Sequence, residues 1–151
     1  MIVSDSTTLI ILLDSGKLEL LSSLFSKVFI PQTVFEEVTY KYQSVLPSFI
    51  NIIEVEKDGL LEDLLLLLDK GESEAIALAK QKQWPLIIDE RKGRKIASNL
   101  QIEIIGLLGI VFLNIKKEHI TKDEAEVFLQ EAIDNGYRIS QKLIRDMFLQ
   151  V

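Results

Sequence analysis

The chain has 151 residues, 48% of them apolar, and carries 17 Lys plus Arg against 23 Asp plus Glu, a formal net charge of −6. It has no cysteine and a single histidine, His119, which excludes disulfides, thiol catalysis, iron–sulfur clusters and multi-histidine zinc sites. The acidic balance argues against a protein that coats a duplex by neutralising phosphates, but not against a metal-dependent nuclease, whose site is itself made of acids.

In chain order, residues 2–5 read as a short apolar strand ending at Asp5. Ser6, Thr7 and Thr8 offer N-cap hydroxyls to a helix whose Leu9, Ile10, Leu12 and Leu13 recur at helical spacing. Ser15-Gly16 stops it, and Lys17 to Phe25 reads as a second helix. Lys27 to Ile30 is a strand closed by Pro31, which starts a helix through Val34, Phe35 and Val38. Beyond Pro47, Asn51 to Val55 is a strand candidate, Gly59 to Leu68 a leucine-rich helix and Glu72 to Gln83 another. Leu86-Ile87-Ile88 is a fully apolar strand ending at Asp89. Arg91 to Leu100 follows as a basic helix and Ile102 to Ile105 as a strand. Leu107 to Ile115, Thr121 to Ile133 with a Thr121/Glu124 capping box, and Ser140 to Leu149 form a helical C-terminal third. Apolar strands alternating with helices imply a parallel sheet covered on both faces. The expected organisation is one domain over 1–151, with a core of about 1–115 and a helical extension over about 116–151.

The N-terminus lacks the basic region of a signal peptide, and the longest apolar run, Ile104 to Leu113, is far short of the ~20 residues a bilayer core needs. A cytoplasmic protein with no membrane contact is expected. The net charge sits in one place. Residues 54–74 hold eight acids (Glu54, Glu56, Asp58, Glu62, Asp63, Asp69, Glu72, Glu74) and two bases (Lys57, Lys70), so the remainder balances. Most of these acids read as a solvated helix face. In the opposite sense, Arg91, Lys92, Arg94 and Lys95 follow directly on Asp89-Glu90.

Ligands of an open parallel sheet bind outside the carboxyl ends of its strands, where the winding reverses. Asp5 and Asp89 each stand at such a strand end. Converging carboxylates repel unless a cation lies between them, and an all-oxygen cluster suits Mg2+ or Mn2+. Either aspartate is equally an ordinary helix N-cap. One of Glu36 and Glu37 can face the same mouth, because Val34, Phe35 and Val38 take the buried side of their helix. Glu72 and Glu74 open another helix, which Ala75, Ala77 and Ala79 allow to pack close to the sheet; acids in a first turn also favour the helix dipole. His119 reads as a surface or packing residue and Trp84 as packing.

Four segments in this order, Val3-Ser4-Asp5-Ser6-Thr7, Ile30-Pro31 to Glu37-Val38, Gly71-Glu72-Ser73-Glu74-Ala75-Ile76-Ala77-Leu78-Ala79 and Ile87-Ile88-Asp89-Glu90-Arg91 to Ala97, resemble the PIN domain, in particular the small proteins grouped with VapC-type toxins. Gly136-Tyr137-Arg138-Ile139-Ser140 and the helix after it look like the tail of that subgroup. The resemblance implies a three-layer α/β/α fold and a metal-dependent endoribonuclease. It implies catalytic and metal-ligating roles for Asp5, Glu37, Glu72 and Asp89 around Mg2+ (or Mn2+), with Glu74 and Glu90 beside them. The family's third acid is usually Asp, whereas this chain has Glu72 with Glu74 close by. It further implies RNA as substrate, an antitoxin partner and a homodimer. Ser6 is expected to orient Asp5, and Arg91, Lys92, Arg94 and Lys95 to lead the RNA backbone to an acidic site.

Two other readings compete. One is a PIN-like module that binds RNA or protein without cleaving. The other is a phosphotransfer domain with Asp5 or Asp89 as acceptor; Thr7 stands where a haloacid-dehalogenase start needs a second aspartate, and Ser4-Asp5-Ser6 lacks the paired acids of a receiver.

Overall fold

The computed structural model describes residues 1–41 and 45–151. In chain order, β1 (Ile2–Ser4) leads into α1 (Ser6–Asp14) and α2 (Glu19–Ser22), and β2 (Val28–Ile30) into α3 (Gln32–Lys41). β3 (Ile50–Ile52) leads into α4 (Gly59–Leu65) and α5 (Lys70–Lys82), and β4 (Leu86–Ile87) into α6 (Arg91–Asn99). β5 (Ile104–Ile105) is followed by α7 (Leu107–Lys116), α8 (Lys122–Asp134) and α9 (Gln141–Leu149).

The strands form one sheet in the order β3-β2-β1-β4-β5, every pair parallel. Successive side chains of a strand point to opposite faces, and the core divides accordingly. Ile2 and Ile87 pack with Leu9, Leu12, Val34 and Val38 on one face. Val3, Leu86 and Ile88 pack with Leu61, Leu64 and the run Ala75–Ala79 on the other. The architecture is therefore three-layered, helices over both faces of a parallel sheet. Phe128, Leu129 and Ala132 of α8 and Met147 of α9 belong to the first of these cores, so the C-terminal helices share the core that covers β1. Trp84 stacks on Phe29 with ring centroids 4.5 Å apart, a packing role.

Several elements differ from expectation. The helix expected over Lys17 to Phe25 is confined to Glu19–Ser22, and the strand expected at Asn51 to Val55 is Ile50–Ile52. The strand expected to begin at Ile102 is only Ile104–Ile105, preceded by Gln101 in the left-handed region at φ 61°. The N-cap of α1 is Asp5 rather than a hydroxyl residue, and its side chain makes no capping bond. The Thr121/Glu124 capping box is present. Within the acidic block, Asp58 and Asp69 cap α4 and α5 by accepting from the Leu61 amide at 2.9 Å and the Glu72 amide at 2.8 Å.

The winding runs outward from β1 through β2 to β3, then returns to the other side of β1 to lay down β4 and β5. The crevice of this reversal lies between the carboxyl ends of β1 and β4. Ser4 is in register with Ile87 there, so Asp5 and Asp89 emerge together at its mouth.

Candidate active site

Asp5 is fixed by its own backbone, whose amide donates to the Ile87 carbonyl at 3.0 Å and ties the end of β1 to β4. The residue is only 4% exposed, and Oδ1 has no hydrogen-bond partner among the described residues. Burial pushes the carboxyl up to about 7; the Ser6 backbone amide opposes this, and the charges of Glu37, Asp69 and Asp89 add to it. A buried carboxylate oxygen without a partner is costly, and its retention needs an explanation.

Glu37 reaches the mouth from α3, while Glu36 on the same helix is exposed. The Ser6 hydroxyl donates to Glu37 Oε2 at 2.9 Å. The expectation that Ser6 orients Asp5 through its side chain is thus corrected: α1 begins beside α3, and the hydroxyl is taken by the glutamate across the gap. Glu37 lies directly against Gly71, where any Cβ would collide with its Oε1. Burial raises its pKa, the Ser6 bond counters, and Asp69 and Glu74 raise it further.

Glu72 enters from the first turn of α5. Its Oε2 is buried without a hydrogen-bond partner among the described residues. Burial, the Asp69 carboxyl beside it, Asp5 and Glu90 together push it up to about 9. Glu72 and Glu90 meet over Gly93, whose absent Cβ would stand 3.1 Å from Glu72 Oε2 and 3.4 Å from Glu90 Oε2. Glu90 caps α6, accepting from the Lys92 and Gly93 amides at 3.0 and 2.6 Å. Burial pulls its pKa up, but those amides outweigh it and the net shift is downward. Glu74 is turned the other way: it accepts from the Thr33 hydroxyl at 3.0 Å and pairs loosely with Lys70 at 4.0 Å.

Asp89 is the most engaged of the acids. Its two oxygens lie 3.0 and 3.1 Å from the Leu107 amide at the start of α7, and Oδ2 also accepts a short bond from the Thr8 hydroxyl. Gly106 makes this approach possible, since a Cβ there would stand 2.5 Å from Asp89 Oδ1. Arg94 folds back from α6 to donate to the Ile88 carbonyl at 2.8 Å. Lys92 donates to the Leu67 carbonyl at 2.9 Å, whereas Arg91 and Lys95 are exposed and have no such tether among the described residues. Among those residues the basic segment therefore divides into two anchored cations and two untethered ones.

Three contributors were absent from the sequence reading. Asp69 acts on Asp5, Glu37 and Glu72 alike; its signal was the N-cap spacing of an Asp three residues before Glu72. Thr8 lies nearly one helical turn beyond Asp5, so it shares the mouth. The Leu107 amide could not be read from residue types at all.

Among the described residues, no three His, Cys, Asp or Glu side chains stand close enough to clasp an ion as they are. The donor chemistry nevertheless fits a hard divalent cation: the groups that act on Asp5 electrostatically, Glu37, Asp69 and Asp89, are carboxylates, and among the described residues Asp5 Oδ1 and Glu72 Oε2 are two buried oxygens without partners. No helix among the described residues is long and apolar enough to cross a membrane.

No curated protein matches the chain. A solved structure, a PilT N-terminus domain protein, SSO1118, from the hyperthermophilic archaeon Sulfolobus solfataricus P2, shares 17% identity over 93% of this chain and 100% of its own, with a TM-score of 0.45. A PIN domain model, DUF3368, matches residues 1–151, and the chain belongs to the PIN domain family.

Proposed function

We propose that the protein is a Mg2+- or Mn2+-dependent endoribonuclease that hydrolyses RNA phosphodiester bonds. PIN domains are typically metal-dependent nucleases; RNA as the substrate, the identity of the ion and the residue roles are the proposal. The observation that carries it is a pair of buried oxygens at the winding reversal, Asp5 Oδ1 and Glu72 Oε2, that have no hydrogen-bond partner among the described residues. Asp5, Glu37, Glu72 and Asp89 would hold the ion. When bound, such a cation lowers the pKa of a water and stabilises charge on the scissile phosphate and its leaving oxygen.

The chain's own residues prepare that chemistry. Ser6 fixes Glu37, and Thr8 with the Leu107 amide fixes Asp89, so each carboxylate has a donor that sets its orientation. Glu72 and Glu90 face each other beside Gly93, where one carboxyl can hold a proton for the other. Arg91 and Lys95 offer cations to the RNA backbone, and the guanidinium of Arg94 lies beside Asp89 where a phosphate can meet it. By family analogy, the proposal extends to a cytoplasmic toxin of a toxin–antitoxin pair, acting as a homodimer. A basic antitoxin segment suits the acidic mouth.

The second reading, a PIN domain that binds without cleaving, is favoured by one observation: both Asp89 oxygens already contact the cap of α7. Cleavage of total RNA with Mg2+ or Mn2+ against chelator, in wild type, Asp5→Asn and Asp89→Asn, separates the two. Metal-dependent cleavage lost in both variants supports the nuclease. Equal cleavage in all three overturns the four-carboxylate site, and no metal binding by calorimetry in the wild type favours the binding module.

A further inference from the structure

Beside Asp89, on the side of α7 and α9, two cavities of about 670 Å3 and 190 Å3 share Asp89, Leu108, Ser140 and Leu143 among their linings. The larger alone is within the 300–1,000 Å3 range of small-molecule sites. Its floor is apolar, from Ile104, Ile105 and Leu108. Gly109 permits this floor, since a Cβ there would stand 2.6 Å from Ile105 Cγ1. The charge is the reverse of that around Asp5. Arg91 and Arg94 line the larger cavity and Arg138 the smaller, against the single carboxylate Asp89. Arg94 is half-buried and, among the described residues, forms no ion pair; its one bond is to the Ile88 carbonyl at 2.8 Å.

The outer wall comes from the C-terminal segment and is held in position. Tyr137 donates from its hydroxyl to Asp14 Oδ2 at 3.3 Å and accepts from Lys41 Nζ at 3.2 Å, while the same ammonium lies 5.3 Å from its ring centroid. Next to this anchor come Arg138, then Ser140, whose hydroxyl oxygen accepts the Leu143 amide at 3.3 Å and keeps its own proton free to donate. Leu143 is 56% exposed at the cavity rim, an apolar side chain that nothing among the described residues covers.

An apolar floor and lip with arginines at the rim, adjoining the carboxylate of Asp89, match one nucleotide: a flat base against aliphatic side chains and its phosphate on guanidinium groups. We propose that this cavity seats an unpaired nucleotide of the RNA next to the cleaved bond, and that Arg138, Ser140 and Leu143 of the C-terminal segment make it a determinant of which nucleotide is accepted. The proposal rests on the ribonuclease reading but reaches beyond its acids to the C-terminal segment.

The test needs no metal. Leucine-methyl NMR of the full chain in chelator, titrated with each of the four ribonucleoside 5′-monophosphates, should give saturable shifts at Leu108 and Leu143, with one nucleotide preferred. Arg138→Ala and Leu143→Gln should weaken that Kd at least fivefold with melting temperature unchanged. In parallel, wild type and both variants are assayed for cleavage of a defined single-stranded RNA with Mg2+. Shifts without any cleavage leave the subsite standing while the nuclease reading falls. Cleavage without shifts at Leu108 and Leu143, or with the same affinities and cut sites in both variants, overturns the subsite alone. An acidic peptide that shifts these methyls while nucleotides do not would make the cavity a protein site and also overturn it.

Discussion

Gly71 is the residue against which Glu37 rests. A Cβ at position 71 would overlap the Glu37 Oε1 atom, so a side chain on α3 occupies the space that a side chain on α5 would need. With Glu37 in this position, the first turn of α5 fits beside it because Gly71 has no side chain, and Glu37 keeps its bond to Ser6 only on that condition.

Gly71→Ala is therefore expected to separate activity from stability. The colliding atom is the end of a flexible side chain, which can swing away, and alanine gains about 0.5–1 kcal/mol over glycine in a helix. Melting should change by less than about 1 kcal/mol equivalent, while metal-dependent RNA cleavage falls at least tenfold. A fully active Gly71→Ala protein would show that Glu37 is not needed where it stands.

Asp5→Asn should stabilise the metal-free protein even as it removes activity. Burial, and after it the charges of Glu37, Asp69 and Asp89, penalise the ionised carboxyl of Asp5, and an amide of the same shape removes that charge. The gain should be on the order of 1–2 kcal/mol at pH 8, read as a rise in melting temperature in chelator. With Mg2+ added, the variant should lose its advantage, because the wild type then gains from the ion and the amide does not. A variant less stable than wild type in chelator would count against a penalty on the buried charge at this position.

Much of this site was visible as strand-end chemistry. Apolar runs that stop at Asp5 and Asp89 mark carboxyl ends of buried strands, and the small residues Ala75, Ala77 and Ala79 fit the close approach of α5, where all three are buried. What escaped the sequence is what depends on partners far along the chain. Ser6 bonds Glu37 rather than Asp5 because α3 arrives beside α1, and Asp89 takes its hydroxyl donor from Thr8, 81 residues back in the chain. Strand limits escaped for a related reason: Ile102 is buried, yet pairing extends only over Leu86 and Ile87 of β4, so β5 begins at Ile104. Local apolarity marks burial, whereas a ladder ends where its neighbour does.

The raised carboxyls give the metal-free protein a distinct pH dependence. Asp5 moves from 3.8 to about 7 and Glu72 from 4.5 to about 9 on folding. The folded state thus keeps protons that the unfolded chain has released, and stability is greatest with respect to these groups below about pH 4. It is lost as pH rises through 7 and then 9. Melting temperature in chelator should fall across pH 5.5 to 9.5, and saturating Mg2+ should flatten the decline. A metal-free protein whose melting temperature rises over that interval would contradict the burial of these two groups.

Thr8→Val and Asp89→Asn test how Asp89 is held. Thr8 is buried and its hydroxyl donates to Asp89 Oδ2, while the Leu107 amide at the start of α7 contacts both oxygens. Replacing the hydroxyl by a methyl leaves the carboxylate with one donor fewer in a part-buried position, at a cost of about 1–2 kcal/mol. Asparagine retains an acceptor for the Leu107 amide, so Asp89→Asn should preserve the α7 cap and cost less than Asp89→Ala, which removes it and should cost about 1–2 kcal/mol. If Thr8 acts only through Asp89, Thr8→Val should add little to Asp89→Ala, and a double-mutant cycle by chemical denaturation should give a coupling of at least about 0.5 kcal/mol. Additive losses would mean that Thr8 stabilises α1 by packing alone, and Asp89 would then depend on the helix cap for its orientation.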